Sequence, residues 1–128
     1  MTAAQVIDRE LDRLEDLWSD GLADAYHSYQ ESVTGYAAPA RPKLALAAAL
    51  IEVGIRLQNL GGRAAPASTL LVGDFCLARS SRLLADVAPQ RLQVAIAAAI
   101  ETMSSTAAAA PGAPASRELL IKALEASR

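Results

Sequence analysis

Apolar side chains recur along this chain at the three- and four-residue spacing that is typical of one face of an α-helix. The spacing predicts helices over residues 2–33, 43–60, 68–86, 90–104 and 116–126. Gly35, Gly61, Pro66 and Pro89 lie in or beside the gaps between these segments, where they stop a helix or suit the first turn of the next one. The pattern predicts an all-α bundle of about five helices.

The helix predicted at 43–60 is apolar on almost every side. Its apolar positions leave only four polar side chains to face the solvent: Glu52, Arg56, Gln58 and Asn59. Glu52 and Arg56 are four residues apart, the spacing of an ion pair on a helix surface. A helix of this kind needs neighbours on several sides. The helix predicted at 68–86 is similarly apolar, and we expect it to be buried.

Composition agrees with one helical domain. The chain has 128 residues, of which 52% are hydrophobic and only 4% aromatic, and a sheet would be richer in aromatic and β-branched residues. Its apolar runs fall short of the roughly 20 residues needed to span a bilayer. The domain is predicted over 1–104, followed by an Ala/Pro-rich linker over 105–115 and a C-terminal helix over 116–128. The four alanines of 107–110 alternatively extend the fourth helix by a turn.

Charge and cysteine content bear on partners and location. The net charge of −2 and the scattered basic residues do not favour binding to nucleic acid. The single cysteine cannot form an internal disulfide, and residues 1–10 lack the basic and apolar regions of a signal peptide. We therefore expect a cytoplasmic protein without a membrane span.

The residues that usually carry chemistry are sparse. The acidic residues of the first predicted helix alternate with Arg9 and Arg13, which favours a solvated, salt-bridged surface over a metal site. His27 is the only histidine, and its tyrosine neighbours fit a partly buried packing role. Cys76 lies among apolar residues and is interpreted as a small buried hydrophobe. No catalytic residue, metal site or cofactor is predicted.

The segment 71–79, LVGDFCLAR, resembles a characteristic helix of the trans-polyprenyl diphosphate synthases, and residues 80–85 continue the likeness. The stretch 48–59 is similar to a helix of the small, non-catalytic component of heptaprenyl and hexaprenyl diphosphate synthases. Arg41 and Pro42 match part of the tract that holds a diphosphate in that family, whereas its lysine and glycine pair are not in register. The aspartate-rich magnesium motifs of the catalytic members have no counterpart between Glu52 and Arg63.

The resemblance implies a fold and a function. The fold would correspond to the N-terminal, dimerisation part of the isoprenoid synthase fold. The chain would be a regulatory subunit, not an enzyme by itself, that pairs with a catalytic polyprenyl diphosphate synthase subunit as a heterodimer or heterotetramer. It would support that subunit's activity and product chain length in the synthesis of isoprenoid quinone side chains such as that of menaquinone, and magnesium would be bound only by the catalytic partner.

The same resemblance implies site residues. The family dimerises largely through the helices that correspond to 68–86 and 90–104. Partner contacts are therefore expected at Leu70, Gly73, Asp74, Phe75, Leu77, Ala78, Ser81, Arg82, Ile96 and Ile100. Phe75, the largest side chain of its helix, is also the candidate contact with the floor of the partner's elongation tunnel, and Arg41 is the remnant of a diphosphate site.

Two points stay open at the level of sequence. A carboxylate at Asp74, inside an apolar helix, needs a fixed partner, which is either Arg79 or Arg82 of the same chain or a group on another chain. The chain is alternatively a free-standing helical homodimer or adaptor, or a protein that binds an isoprenoid tail in an apolar groove.

Overall fold

The structure, a computed structural model, describes residues 21–58, 67–109 and 116–127. These residues form five α-helices and one 3₁₀ turn, without a strand in the described ranges. The helices are α1 (Ala23–Ser28), α2 (Arg41–Gln58), α3 (Ala67–Val87), α4 (Gln90–Ala109) and α5 (Ser116–Ala126). The predicted all-α bundle is confirmed.

Helix α2 lies at the centre of the bundle and packs against α1, α3, α4 and α5. Its buried side chains point in nearly all directions, as the sequence predicts. They are mostly small or aliphatic: Leu44, Ala45, Ala47, Ala48, Ala49, Leu50, Ile51, Val53 and Ile55. The helix begins two residues earlier than predicted, with Pro42 in its first turn, where the missing N–H of proline costs nothing.

Helices α2 and α3 approach each other closely where a glycine of each lies buried. A Cβ atom built on Gly54 would lie 3.1 Å from the carbonyl oxygen of Gly73 and 3.1 Å from Cγ of Leu77. The absence of a side chain at Gly54 therefore sets the distance between the two helix backbones.

Helix α1 departs from the prediction. The helix predicted over 2–33 ends at Ser28, and hydrogen-bonded turns follow over residues 29–35. The hydroxyl of Ser28 donates to the carbonyl oxygen of Ala25 at 2.6 Å, a side-chain bond of the kind that competes with helical continuation. Gly21 has a φ of 118°, outside the helical region. The part of this predicted helix before residue 21 lies outside the described residues.

Helix α4 is longer than predicted and includes the alanines up to Ala109, so the predicted linker over 105–115 begins inside a helix. Residues 110–115 lie outside the described ranges. Helix α5 has the predicted bounds and packs on α4 and α2.

Long-range side-chain bonds hold the C-terminal end of α5. Tyr36 Oη donates to the carbonyl oxygen of Leu124 at 2.7 Å, and Arg91 Nε donates to that of Ser127 at 2.8 Å. Carbonyl groups in the last turn of a helix have no partner inside the helix, so these bonds satisfy acceptors that would otherwise need water.

Candidate functional site

One face of α3 is exposed along the length of the helix, and five of the ten predicted partner contacts lie on it. The exposed members are Leu70, Leu71, Asp74, Ala78, Ser81 and Arg82, which follow one another at intervals of one to four residues. We call this set the α3 face. Leu71 and Leu70 are 62% and 39% exposed, which is unusual for large apolar side chains in the part of the chain that the structure describes. The expectation that this helix is buried on all sides is therefore wrong: α3 is covered on its α2 side and open on the other.

Gly73 does not belong to the α3 face. It is buried and its carbonyl oxygen points toward Gly54 of α2. The close approach of backbones that was predicted at this glycine is therefore made with α2 of the same chain, and Gly73 is not available to a partner in this fold.

Phe75 and Leu77 lie at the edges of the α3 face. Both are half-buried and pack against the hydrophobic core. Either side chain can be reached from outside at its exposed edge, and the predicted contact of Phe75 with a partner's tunnel remains a prediction.

The two contacts predicted on α4 belong largely to the chain's own core. Ile96 is 2% exposed, and Ile100 is partly buried against the same core. Ile96 repeats with Leu92, Ala99 and Met103 as the buried stripe of α4, whose principal neighbour is α5. The prediction that Ile96 contacts a partner is corrected, because its side chain is already covered within the chain.

Asp74 is exposed. The prediction that its carboxylate is buried in an apolar helix is therefore wrong.

Arg41, the predicted remnant of a diphosphate site, is exposed and hydrogen-bonded within its own segment. Its Nε donates to the carbonyl oxygen of Tyr36 at 2.8 Å. This bond ties the turn before α2 to the first residue of that helix, and the diphosphate role of Arg41 remains a prediction.

The two remaining candidates of the sequence behave as packing residues. Cys76 is buried, and burial raises the pKa of its thiol to about 11, so it is a small core side chain as predicted. His27 is exposed and not partly buried, and its ring meets that of Tyr26 edge to face, with the centroids 5.6 Å apart.

Glu52, which the sequence predicts to be exposed, is 4% exposed and lies at the centre of a polar cluster between α1, α2 and α5. Oε1 accepts hydrogen bonds from Tyr29 Oη at 2.8 Å and from Arg117 Nε at 2.9 Å. Oε2 accepts from Nη2 of Arg56 at 2.8 Å and from Nη2 of Arg117 at 3.0 Å. The predicted pairing with Arg56 is confirmed, but the predicted exposure of Glu52 is not.

This Glu52 cluster (Asp24, Tyr29, Glu52, Arg56 and Arg117) is fully hydrogen-bonded at its buried carboxylate. Burial opposes ionisation of Glu52, but the donors Arg117, Tyr29 and Arg56 outweigh it, so the pKa of this carboxyl lies below its ordinary value. Burial and the neighbouring Glu52 carboxylate raise the pKa of Tyr29, which keeps its proton. A carboxylate whose lone pairs are all engaged is a structural anchor: it holds α5 against α2 through the two-pronged contact of Arg117.

A groove with a basic lining lies near the first turn of α2 and the second half of α3. It encloses about 520 Å³ and is lined by Lys43, Arg79, Arg82, Leu83, Ala85 and Asp86. Lys43 Nζ lies 3.8 Å from Asp86 Oδ2, a pair that is exposed on both sides. Nε of Arg79 is buried and has no hydrogen-bond partner among the described residues. The sequence predicts Arg79 and Arg82 as candidate partners of Asp74, and Arg82 also as a partner contact, but it does not predict this groove.

The described residues contain no group of three or more His, Cys, Asp or Glu side chains placed to hold a metal ion. Within the same residues, none of the helices combines the length and the apolar character that crossing a membrane requires.

Comparison with known proteins gives no match to a family model, a curated protein or a solved structure.

Proposed function

We propose that this chain is a non-catalytic subunit that pairs, through the α3 face, with a catalytic polyprenyl diphosphate synthase subunit. The observation that carries the proposal is the exposed pair Leu70 and Leu71. It opens the segment whose sequence resembles the dimerisation helix of the trans-polyprenyl diphosphate synthases, and it lies on the side of that helix that the chain itself leaves uncovered.

The geometry of α3 suits lengthwise packing. With 21 residues the helix is about 30 Å long, enough to present several turns to a partner helix. Small side chains in the middle and second half of the face, at Ala78 and Ser81, allow a second helix to come close, while Leu70 and Leu71 supply apolar area at its beginning.

The energy available at this face can be bounded at one residue. Full burial of a leucine side chain contributes about 1.5–3 kcal/mol, so covering the exposed 62% of Leu71 contributes about 1–2 kcal/mol. A permanent interface buries about 2,000 Å² or more in total, so the proposed contact must continue beyond the α3 face onto its edges at Phe75 and Leu77.

In this proposal the catalytic subunit binds magnesium and carries out prenyl transfer. The present chain favours the active conformation of its partner because it binds that conformation more tightly. The complex works in the cytoplasm, on the isoprenoid chains that become quinone side chains.

The test is co-expression with the catalytic polyprenyl diphosphate synthase of the same organism, followed by affinity capture and a prenyl transfer assay. Leu71→Lys is the informative variant and Gln30→Lys is its control, because Gln30 is exposed in the turns after α1 and lies outside both α3 and α4. We expect Leu71→Lys to weaken pairing by about tenfold or more, in line with the loss of 1–2 kcal/mol and the added charge, and Gln30→Lys to pair like the unchanged chain.

Two results would contradict the proposal. One is failure of the unchanged chain to capture or activate the synthase. The other is an equal effect of the two lysine substitutions. Sedimentation of the chain alone tests the homodimer alternative, which predicts a dimer that Leu71→Lys dissociates in the absence of any synthase.

A further inference from the structure

The groove between the first turn of α2 and the second half of α3 has a charge that the rest of the chain does not share. Lys43, Arg79 and Arg82 contribute three positive charges to its lining and Asp86 one negative charge, in a chain whose net charge is −2. Cations gathered in one concave surface attract anions more strongly than the same charges spread over the molecule.

Arg79 gives the groove a donor that the protein itself does not use. Its Nε–H is buried, and no acceptor for it exists among the described residues. Buried donors are almost always hydrogen-bonded, and a guanidinium presents its N–H groups in a planar fork that fits two oxygens of one oxyanion. Arg79 therefore lines the groove with a guanidinium whose Nε–H the described residues leave without an acceptor.

The N-terminus of α2 adds to the positive electrostatic potential of the groove. Lys43 lies in the first turn of this 18-residue helix, where the helix dipole favours negative charge. The groove also has an apolar side, formed by Leu83 and Ala85.

We propose that this groove binds a phosphate monoester, with the phosphate oxygens on Arg79, Lys43 and Arg82 and the organic part against Leu83 and Ala85. Arg79 supplies the two-pronged contact, and Lys43 supplies a mobile point charge that exchanges its exposed pairing with Asp86 for the phosphate. The proposal does not depend on a partner subunit, so it can fail or succeed independently of the proposed function.

The experiment is calorimetric titration of the isolated full-length chain at pH 7 with phenyl phosphate and with inorganic phosphate. We expect both to bind at the groove, phenyl phosphate more tightly because its ring covers apolar side chains. Arg79→Gln is expected to weaken binding by about tenfold or more, and Arg79→Lys, which keeps the charge and loses the planar fork, by an intermediate factor.

Two further variants separate an effect on binding from an effect on folding or on overall charge. Lys43→Gln changes an exposed side chain of the groove, so it leaves the fold intact and is expected to weaken binding even if Arg79→Gln unfolds the chain. Lys122→Gln removes one positive charge from an exposed position on α5 and is expected to leave binding unchanged.

The proposal is overturned if neither phosphate binds, or if Lys122→Gln weakens binding as much as the groove variants do. Equal affinity for phenyl phosphate and inorganic phosphate would overturn the role given to Leu83 and Ala85.

Discussion

The Glu52 cluster allows a prediction that separates two arginines bound to the same carboxylate. Arg117 donates to both oxygens of Glu52, at 2.9 and 3.0 Å, and its side chain is 33% exposed. Arg56 donates to one oxygen at 2.8 Å, and its side chain is 53% exposed. We expect Arg117→Gln to destabilise the chain far more than Arg56→Gln.

The magnitude follows from what each substitution leaves behind. Arg117→Gln removes two of the four donors to a carboxylate that is 4% exposed, and breaking a buried pair from one side costs about 3–5 kcal/mol. Water can reach the partly exposed site of Arg117, so we expect a loss of about 2–3 kcal/mol. The additional contact with Asp24, at 3.2 Å, adds little because the carboxylate of Asp24 is 83% exposed.

Arg56→Gln is the matched control. Its side chain is mostly in water, and the oxygen that it contacts still accepts a hydrogen bond from Arg117. The expected loss is about 0.3–1 kcal/mol, the usual range for a helical pair at the surface.

Urea unfolding followed by far-UV circular dichroism measures both free energies of unfolding. Amide hydrogen exchange then locates the effect: Arg117→Gln should increase exchange in α5 while exchange in α3 is unchanged, because Arg117 holds α5 to α2. Equal costs for the two substitutions, or a loss below about 0.5 kcal/mol for Arg117→Gln, would refute the role of Arg117 as the anchor.

Two further predictions concern the helix contact and the dependence on pH. Gly54→Val should destabilise the chain by about 2–3 kcal/mol in the same urea assay, because its Cβ would lie 3.1 Å from the carbonyl oxygen of Gly73, which cannot move aside. A variant as stable as the unchanged chain would contradict the close approach of α2 and α3. The Glu52 cluster should also make the free energy of unfolding depend on pH at both ends of the range. The pKa of Glu52 is lower in the folded chain than in the unfolded chain, so stability falls as the pH drops below the ordinary value of 4.5. The pKa of Tyr29 is higher in the folded chain, so stability falls as the pH rises above 10.0. Urea midpoints across pH check this, and Glu52→Gln should flatten the acid side; an unchanged acid limb in that variant would contradict it.

The sequence predicts most of this fold because helix-breaking residues coincide with changes in the apolar pattern. The bounds of α5 are as predicted, and α3 begins and ends within one residue of the prediction. The errors have local causes. Helix α1 ends at Ser28, whose hydroxyl donates a hydrogen bond to the carbonyl oxygen of Ala25. The spacing of apolar residues does not predict this bond. Helix α4 continues through its alanines to Ala109, the alternative that the helix propensity of alanine favours over the linker composition around Pro111 and Gly112.

For Glu52, the burial of the side chain can be predicted from the sequence, whereas its hydrogen-bond partners cannot. Its neighbours one turn away on the helix surface include Ala48, Ala49 and Ile55, all buried, so a polar side chain at this position has little access to water. These apolar neighbours indicate a buried position for Glu52. The partners that make the burial tolerable were not predictable from spacing, because Tyr29 lies 23 residues before Glu52 and Arg117 lies 65 residues after it.

Asp74 has the same local pattern and the opposite environment. Leu70, Leu71, Leu77 and Ala78 lie one turn away from it, yet its side chain is exposed. The difference comes from tertiary structure: α2 has neighbours on several sides, whereas α3 is covered principally by α2. Apolar neighbours around a buried carboxylate are explained by the core of the chain. Around the exposed Asp74 they form part of the α3 face at Leu70, Leu71 and Ala78, and this is the apolar surface that the proposed pairing would cover.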